Sequence, residues 1–332
     1  MGGLKPFVDE SVKLAYGEGS AELAEGRVAA IQSLSGTGSC RLMADFMHRF
    51  KPDAKIYITV PTWANHHNIW RDAGVEESTF RYYHPETRGL DFEGMLEDMK
   101  AAPNGGFFLL HACAHNPTGV DPTPDQWREI SQVMKDKGHF AFFDMAYQGF
   151  ASGDLVEDAF APRLFASKGI EFLCSQSYAK NLGLYGERIG ALNAVLNSPE
   201  AATKVLSQLK RVARAMYSNP PVHGARIVAE VVNDPAMFKE WNEEMAMMSG
   251  RITGVRKMLH DNLAELMPEK DFSFILKQIG MFSFTGLSPE QVENMTNKWH
   301  IYMTKDGRIS LAGLSAGKAR YLAEAMVDSY KL

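Results

Sequence analysis

Several segments of this 332-residue sequence place a charged or proton-carrying side chain where an apolar run stops. SQSYAKNLGLYGERIG (175–190) sets Lys180 among small and polar neighbours rather than on a charged helical face. Most lysines are simply solvated, so Lys180 alone decides nothing. Arg188 and Ser177 flank it, and a guanidinium beside a hydroxyl matches the geometry of a phosphate. FFDMAYQGF (142–150) ends an apolar run on Asp144, with Tyr147 close behind. A helix cap and ordinary packing are the plain uses of that pair; a buried anion facing a cation is the chemical one.

SLSGTGSC (33–40) follows one strand pattern and opens an amphipathic helix, so its amides and the positive helix end suit a phosphate at Ser35, Gly36 and Thr37. It fits neither common nucleotide fingerprint, since Arg41 stands at the third glycine of GxGxxG and no Gly-Lys-Ser/Thr follows. Taken alone, a plain glycine turn is the commoner use of such a segment. HACAHNPTG (111–119) would put His111, Cys113 and His115 on one face if the strand persisted, which raises the question of a metal. No second cluster completes a ligand set, so polar strand-end histidines are expected and no metal centre. Val60-Pro61 and Asn116-Pro117 are candidates for cis bonds. Arg214 precedes MYSNPP, and Arg308 lies in the apolar run GRISLAG, where it needs a carboxylate from the protein or from a ligand.

The elements that must position these residues alternate. RVAAIQSL, KIYITV, FRYY, GFFLLHA, HFAFFD, EFLCSQ and ALNAVL read as strands, with amphipathic helices between them. Thr123-Pro124-Asp125-Gln126 and Ser288-Pro289-Glu290-Gln291 carry complete capping boxes, and Ser198-Pro199 carries the first half. This alternation predicts a mostly parallel sheet covered on both faces. After about Asn219 the texture changes to a long helix over 237–267, followed by MFSFTG, HIYMT and RISLAG. A large unit over 1–247 and a smaller α+β unit over 248–332 are expected.

Composition excludes several classes. With 35 basic and 40 acidic residues and no dense basic block, the chain lacks the signature of a nucleic-acid binder. No apolar run reaches membrane-spanning length, so no membrane partner is expected. Cys40, Cys113 and Cys174 are few and odd in number, which suits a reducing compartment and small buried side chains.

In order along the chain, SGTG, PTWANH, HACAHNPTG, FFDMAYQGF, SQSYAKNLGLYGER, RAMYSNPPVHGARI and YMTKDGRISLAG resemble the aspartate aminotransferases of the eukaryotic-type subgroup. The resemblance runs in register from about Gly2 to the C-terminus, and the lysine segment is its most specific part. It implies fold type I of the pyridoxal-phosphate enzymes: an α/β large domain with a mainly parallel seven-stranded sheet, plus a smaller α+β C-terminal domain. It further implies that Lys180 binds pyridoxal 5′-phosphate covalently and shuttles the substrate proton. Asp144 would pair with the pyridine nitrogen, supported by His66 and His111. Tyr147 and Asn116 would hydrogen-bond the ring oxygen, and Trp63 would stack on the ring and reach the substrate. Ser35, Gly36, Thr37, Ser177 and Arg188 would hold the phosphate, with Ser218 entering the shared site nearby.

Arg308 would clamp the α-carboxylate, and Arg214 would reach from a neighbouring subunit to the side-chain carboxylate. The implied reaction converts L-aspartate and 2-oxoglutarate to oxaloacetate and L-glutamate in a homodimer, in the cytoplasm or in a mitochondrial or plastid interior. Two departures accompany the resemblance. Relatives continue upstream of Met1, into an arm, part of the small domain, and a tyrosine and glycine of the site. Ala215 stands where many relatives have proline. A working enzyme is favoured over a truncated pseudoenzyme that binds cofactor or dimerises without turnover. Another amino-acid activity is disfavoured by the paired arginines, because an apolar substrate would leave one charge buried and unpaired.

Overall fold

Phe142 and Phe143 are consecutive, and a strand must send them to opposite faces. Phe143 packs with Phe108, Leu110, Trp127, Phe165 and Phe172. Phe142 packs with Ile31, Leu42, Ile58, Leu109 and Leu173 in a separate core. The sheet between these cores is covered on both faces, which is why its strands read as nearly unbroken apolar runs. In the computed structural model, which describes residues 2–332, seven strands form it. They are β1 (Val28–Leu34), β2 (Lys55–Val60), β3 (Glu76–Arg81), β4 (Phe107–His111), β5 (Phe140–Met145), β6 (Phe172–Ser177) and β7 (Ile189–Val195). Their order is β1-β7-β6-β5-β4-β2-β3. Only β7 runs antiparallel to its neighbours, so the mainly parallel α/β sheet expected from the alternation is observed.

Helices α1 (Lys5–Tyr16), α2 (Ser35–Phe50), α3 (Asn65–Asp72), α4 (Pro124–Asp136) and α5 (Pro199–Met216) pack around this sheet. The 32-residue helix α6 (Pro235–Leu266) starts where the Asp234 carboxylate accepts the Ala236 and Met237 amides. Its first half gives Trp241 and Met245 to a core with Phe7, Tyr178 and Ile189. Its second half gives Ile252, Leu259 and Leu263 to another core with Phe272, Met295, Leu311 and Met326. Thr123 and Ser288 form the full capping boxes read from the sequence, and Ser198 caps α5 by accepting the Ala201 amide.

Two expected strands are corrected. Only Phe80 and Arg81 of FRYY join the edge strand β3, which starts at Glu76, pairs to β2 from Lys55↔Glu76 to Val60↔Arg81 and is tied by the Lys55–Glu76 ion pair. An edge strand tolerates the polar residues of EESTFR, and Tyr83–His84 instead pairs with Gly89–Leu90 in a separate hairpin. HIYMT forms no strand. The Thr304 amide and hydroxyl both donate to the Arg308 carbonyl and close a tight turn, leaving Phe282–Phe284 to pair with Arg308–Ser310.

Phe143 is fully buried, and its ring meets Phe165 at 4.9 Å and Phe172 at 5.4 Å, both edge-on. Phe143→Ala removes these contacts and leaves a cavity, so unfolding free energy should fall by about 3–5 kcal/mol. A lower urea midpoint with an unchanged m-value is the expected reading.

Candidate active site

The register of the sheet sets His111 opposite Asp144, and Asp144 opposite Ser175, at the C-terminal ends of β4, β5 and β6. Open parallel sheets bind ligands at those ends. A cavity of about 280 Å³ opens there, and Asp144 lines it with Lys180, Tyr147 and Arg308. Trp63 and Asn116 complete the wall, each beside a cis Val60-Pro61 or Asn116-Pro117 bond.

Asp144 ends a directional chain of hydrogen bonds. The Asn116 amide can only donate, and it donates to His111 Nδ1 at 3.2 Å. Burial, with the neighbouring His66, depresses the His111 pKa to about 3, so the ring is neutral and carries its proton on Nε2. From there it donates to Thr62 Oγ1 at 3.3 Å, the hydroxyl donates to His66 Nδ1 at 2.8 Å, and His66 Nε2 donates to Asp144 Oδ2 at 3.0 Å. Burial would raise the Asp144 pKa. The His66 hydrogen bond and the nearby His66, His111 and Lys180 together outweigh it and hold the carboxyl below its ordinary value. Oδ1 of the same carboxylate is buried without a hydrogen-bond partner.

The glycine loop forms the opposite rim. Ser35 opens α2 at φ +62°, its amide donates to the Arg188 carbonyl at 3.1 Å, and its hydroxyl meets Ser177 Oγ at 3.1 Å. A Cβ at Gly190 would stand 2.5 Å from the Ser35 carbonyl carbon and from the Gln176 oxygen, so only glycine permits this approach. Unlike α4 and α5, α2 has no side-chain cap, and its first-turn amides at Gly36 and Thr37 meet Ser177 and Arg188 on the cavity wall. The result is a cradle of donors with one positive charge.

Lys180 is half-buried, with its ammonium 5.0 Å from the Tyr147 ring centre. Burial lowers its pKa against the opposing pull of Asp144, which favours a neutral amine. Burial, with Asp144 nearby, pushes the Tyr147 phenol well up, so it stays protonated at neutral pH. Arg308 lies over the Phe282 ring at 4.5 Å and donates to Asn116 Oδ1 at 2.7 Å. Among the described residues no carboxylate pairs with it.

The description "Aminotransferase class I and II" names the family model that matches residues 1–326. The chain belongs to that family. It is 62% identical to the chloroplastic aspartate aminotransferase of Arabidopsis thaliana over 99% of this chain and 73% of that relative. A mitochondrial aspartate aminotransferase from Trypanosoma brucei superposes with a TM-score of 0.97 at 43% identity, covering 99% of this chain and 87% of that one. A Burkholderia pseudomallei aromatic-amino-acid aminotransferase, covalently bound to pyridoxal phosphate, superposes at 0.96 and 40% identity, covering 99% and 82%. Aminotransferases of this family use pyridoxal phosphate.

The aminotransferase pocket gathers every site residue expected from sequence except three. His66 lies behind the cavity, bonded to Asp144, while Arg214 and Ser218 stand elsewhere. Arg214 and Ser218 sit at the exposed end of α5, outside the pocket of their own chain, with Ser218 at φ +64°. His111, Cys113 and His115 do not share a strand face, because β4 ends at His111, although the His111 and His115 rings meet at 4.1 Å. His115 instead bonds Thr59 and Thr118. Thr62, Gly190, Tyr185 and Phe282 are site residues that the sequence reading passed over. Tyr185 and Gly190 lie in the quoted lysine segment and Thr62 lies in PTWANH, so position alone could have flagged those three.

The depressed His111 pKa sets an acid sensitivity for this aminotransferase. In the unfolded chain His111 takes up its proton near pH 6.5, but in the folded chain only near pH 3. Between those values the unfolded state binds more protons, so stability is lost as pH falls, by about 4 kcal/mol at pH 3 from this group. His111→Asn should flatten the fall between pH 6.5 and 3, read from urea unfolding at a series of pH values.

Proposed function

We infer that this chain is an aspartate aminotransferase, interconverting L-aspartate plus 2-oxoglutarate with oxaloacetate plus L-glutamate by two half-reactions. The observation that carries the site assignment is Asp144, which lines a cavity that also holds a lysine and a phosphate cradle and whose Oδ1 is buried with no partner. A protonated pyridine nitrogen is the partner that oxygen lacks, and the donors at Ser35, Gly36, Thr37, Ser177 and Arg188 suit the phosphate, so the residues present fit pyridoxal phosphate. Bound there, the cofactor supplies an electron sink for the pair left when the amino acid loses its Cα proton.

The chain's own residues do the rest. Asp144, kept ionised by His66, holds a positive partner against the floor of the cavity. Lys180 presents the depressed, more readily neutral amine, and its nitrogen takes the Cα proton. Tyr147 and Asn116 offer hydrogen bonds at the wall, and Trp63 offers a flat apolar face. Arg308, without a carboxylate of its own, takes the substrate α-carboxylate in a bidentate grip. The second carboxylate then needs a second cation, and Arg214 lies too far from its own pocket to line it. A homodimer in which Arg214 and Ser218 complete the partner's site meets that need, and Met216 and Val222 beside them are exposed apolar side chains suited to an interface. We assign 1–247 to the large domain and 248–332 to the small one, dividing α6 between Met245 and Ile252. The free, buried state of all three cysteines suits a reducing interior such as the cytoplasm.

L-Aspartate should shift the visible absorbance of the cofactor-loaded protein, and Lys180→Ala should abolish turnover. Cofactor uptake without any response to aspartate would instead indicate a non-catalytic binder. Mixed Lys180→Ala and Arg214→Ala protomers should regain part of the activity, because one of the two hybrid sites is intact. Absence of recovery after verified subunit exchange would argue against Arg214 acting across subunits.

A further inference from the structure

We propose that, when pyridoxal phosphate is absent, the chain binds one zinc ion through Cys40 Sγ, His66 and the Asp144 carboxylate. These residues come from α2, α3 and the end of β5, and their ligand atoms all lie within 4.8 Å of one another. Cys40 and His66 are fully buried, and the Asp144 side chain is 10% exposed. A tetrahedral zinc with bonds of roughly 2.0–2.3 Å sets its ligands roughly 3.5 Å apart, so the triad needs to close by about 1 Å. Hydrogen bonding already holds His66 Nε2 and Asp144 Oδ2 at 3.0 Å, where the ion would replace a shared proton.

The donor set selects the ion. A thiolate, an imidazole and one carboxylate suit zinc, whereas magnesium and calcium require oxygen ligands. The site also has an unmet need, since Asp144 Oδ1 is buried without a partner. A fourth position opens on the cavity that Asp144 lines, where water completes the tetrahedron.

The protons balance. Cys40 loses its thiol proton to solvent, while the His66 proton moves from Nε2 to Nδ1 and is donated to Thr62 Oγ1 at 2.8 Å, the Thr62 hydroxyl proton turning out of the hydrogen-bond chain that it completes in the ion-free state. One proton leaves per ion bound. Asp144 is also the carboxylate assigned above to the ring nitrogen, so ion and cofactor exclude each other. That exclusion rests on the proposed function; zinc binding itself does not.

The test uses the full chain freed of cofactor and titrated with Zn²⁺ against a chromophoric chelator. One ion per chain should bind, and Cys40→Ala and Cys40→Ser should each weaken it by more than about 100-fold, since even outer-shell changes cost up to that much. Co²⁺ in place of Zn²⁺ should show thiolate-to-metal charge transfer in the near ultraviolet that neither variant shows. Circular dichroism confirms that the compared proteins are folded, and the serine variant preserves the side-chain volume should alanine fail. Zn²⁺ should slow cofactor loading of the unaltered chain, followed by visible absorbance, and leave loading of the variants unaffected. Absence of a one-to-one site, or equal affinity in the variants, overturns the proposal. Stoichiometric zinc binding without any effect on loading overturns the shared use of Asp144 alone.

Discussion

The charge on Asp144 is the constraint around which this structure is arranged. A carboxylate at the end of a strand covered on both faces has little water to stabilise it, and burial by itself favours its neutral form. His66 supplies the compensating hydrogen bond, and the tautomer of His66 is in turn decided by Thr62 and His111, back to a backbone amide that can only donate. Each link needs its neighbour in a single orientation. The sheet register that sets His111 beside Asp144 is therefore an electrostatic device as much as a packing one.

Around that anion, the remaining charges are distributed so that a ligand completes them. Arg308 is sandwiched against Phe282 and held by a neutral amide oxygen rather than a carboxylate. Such an arrangement orients a guanidinium without satisfying its charge, which leaves its affinity for an incoming carboxylate intact. The uncapped start of α2 works similarly: a helix whose first-turn amides lack a side-chain acceptor is poised for an anion. Stability is given up locally at both places, and the two hydrophobic cores flanking the sheet offset the loss.

The same incompleteness explains why one cavity attracts two chemistries on the proposed readings. A carboxylate left with a bare oxygen, beside an imidazole and a buried thiol, is a partial ligand set for a soft cation as well as a seat for a protonated ring. Cofactor loading satisfies the oxygen and removes the opportunity.

Six of the seven strands of the sheet, the two capping boxes, the long helix and most residues that line the cavity were legible in the sequence. Their signals are local: apolar runs, cap spacing, and short motifs whose order is specific even where each alone is weak. FRYY and HIYMT were misread because edge pairing and a side-chain-closed turn override local strand propensity. Thr62 drew no attention because a threonine carries no chemistry until two histidines from different elements flank its hydroxyl. Cys40 read as a small apolar filler until α2 and β5 brought it against Asp144. Sequence determined which residue types were available and which elements would carry them. Tertiary structure alone decided the direction of the hydrogen bonds and the lone oxygen of Asp144, because those depend on distances of a few tenths of an ångström between segments far apart in the chain.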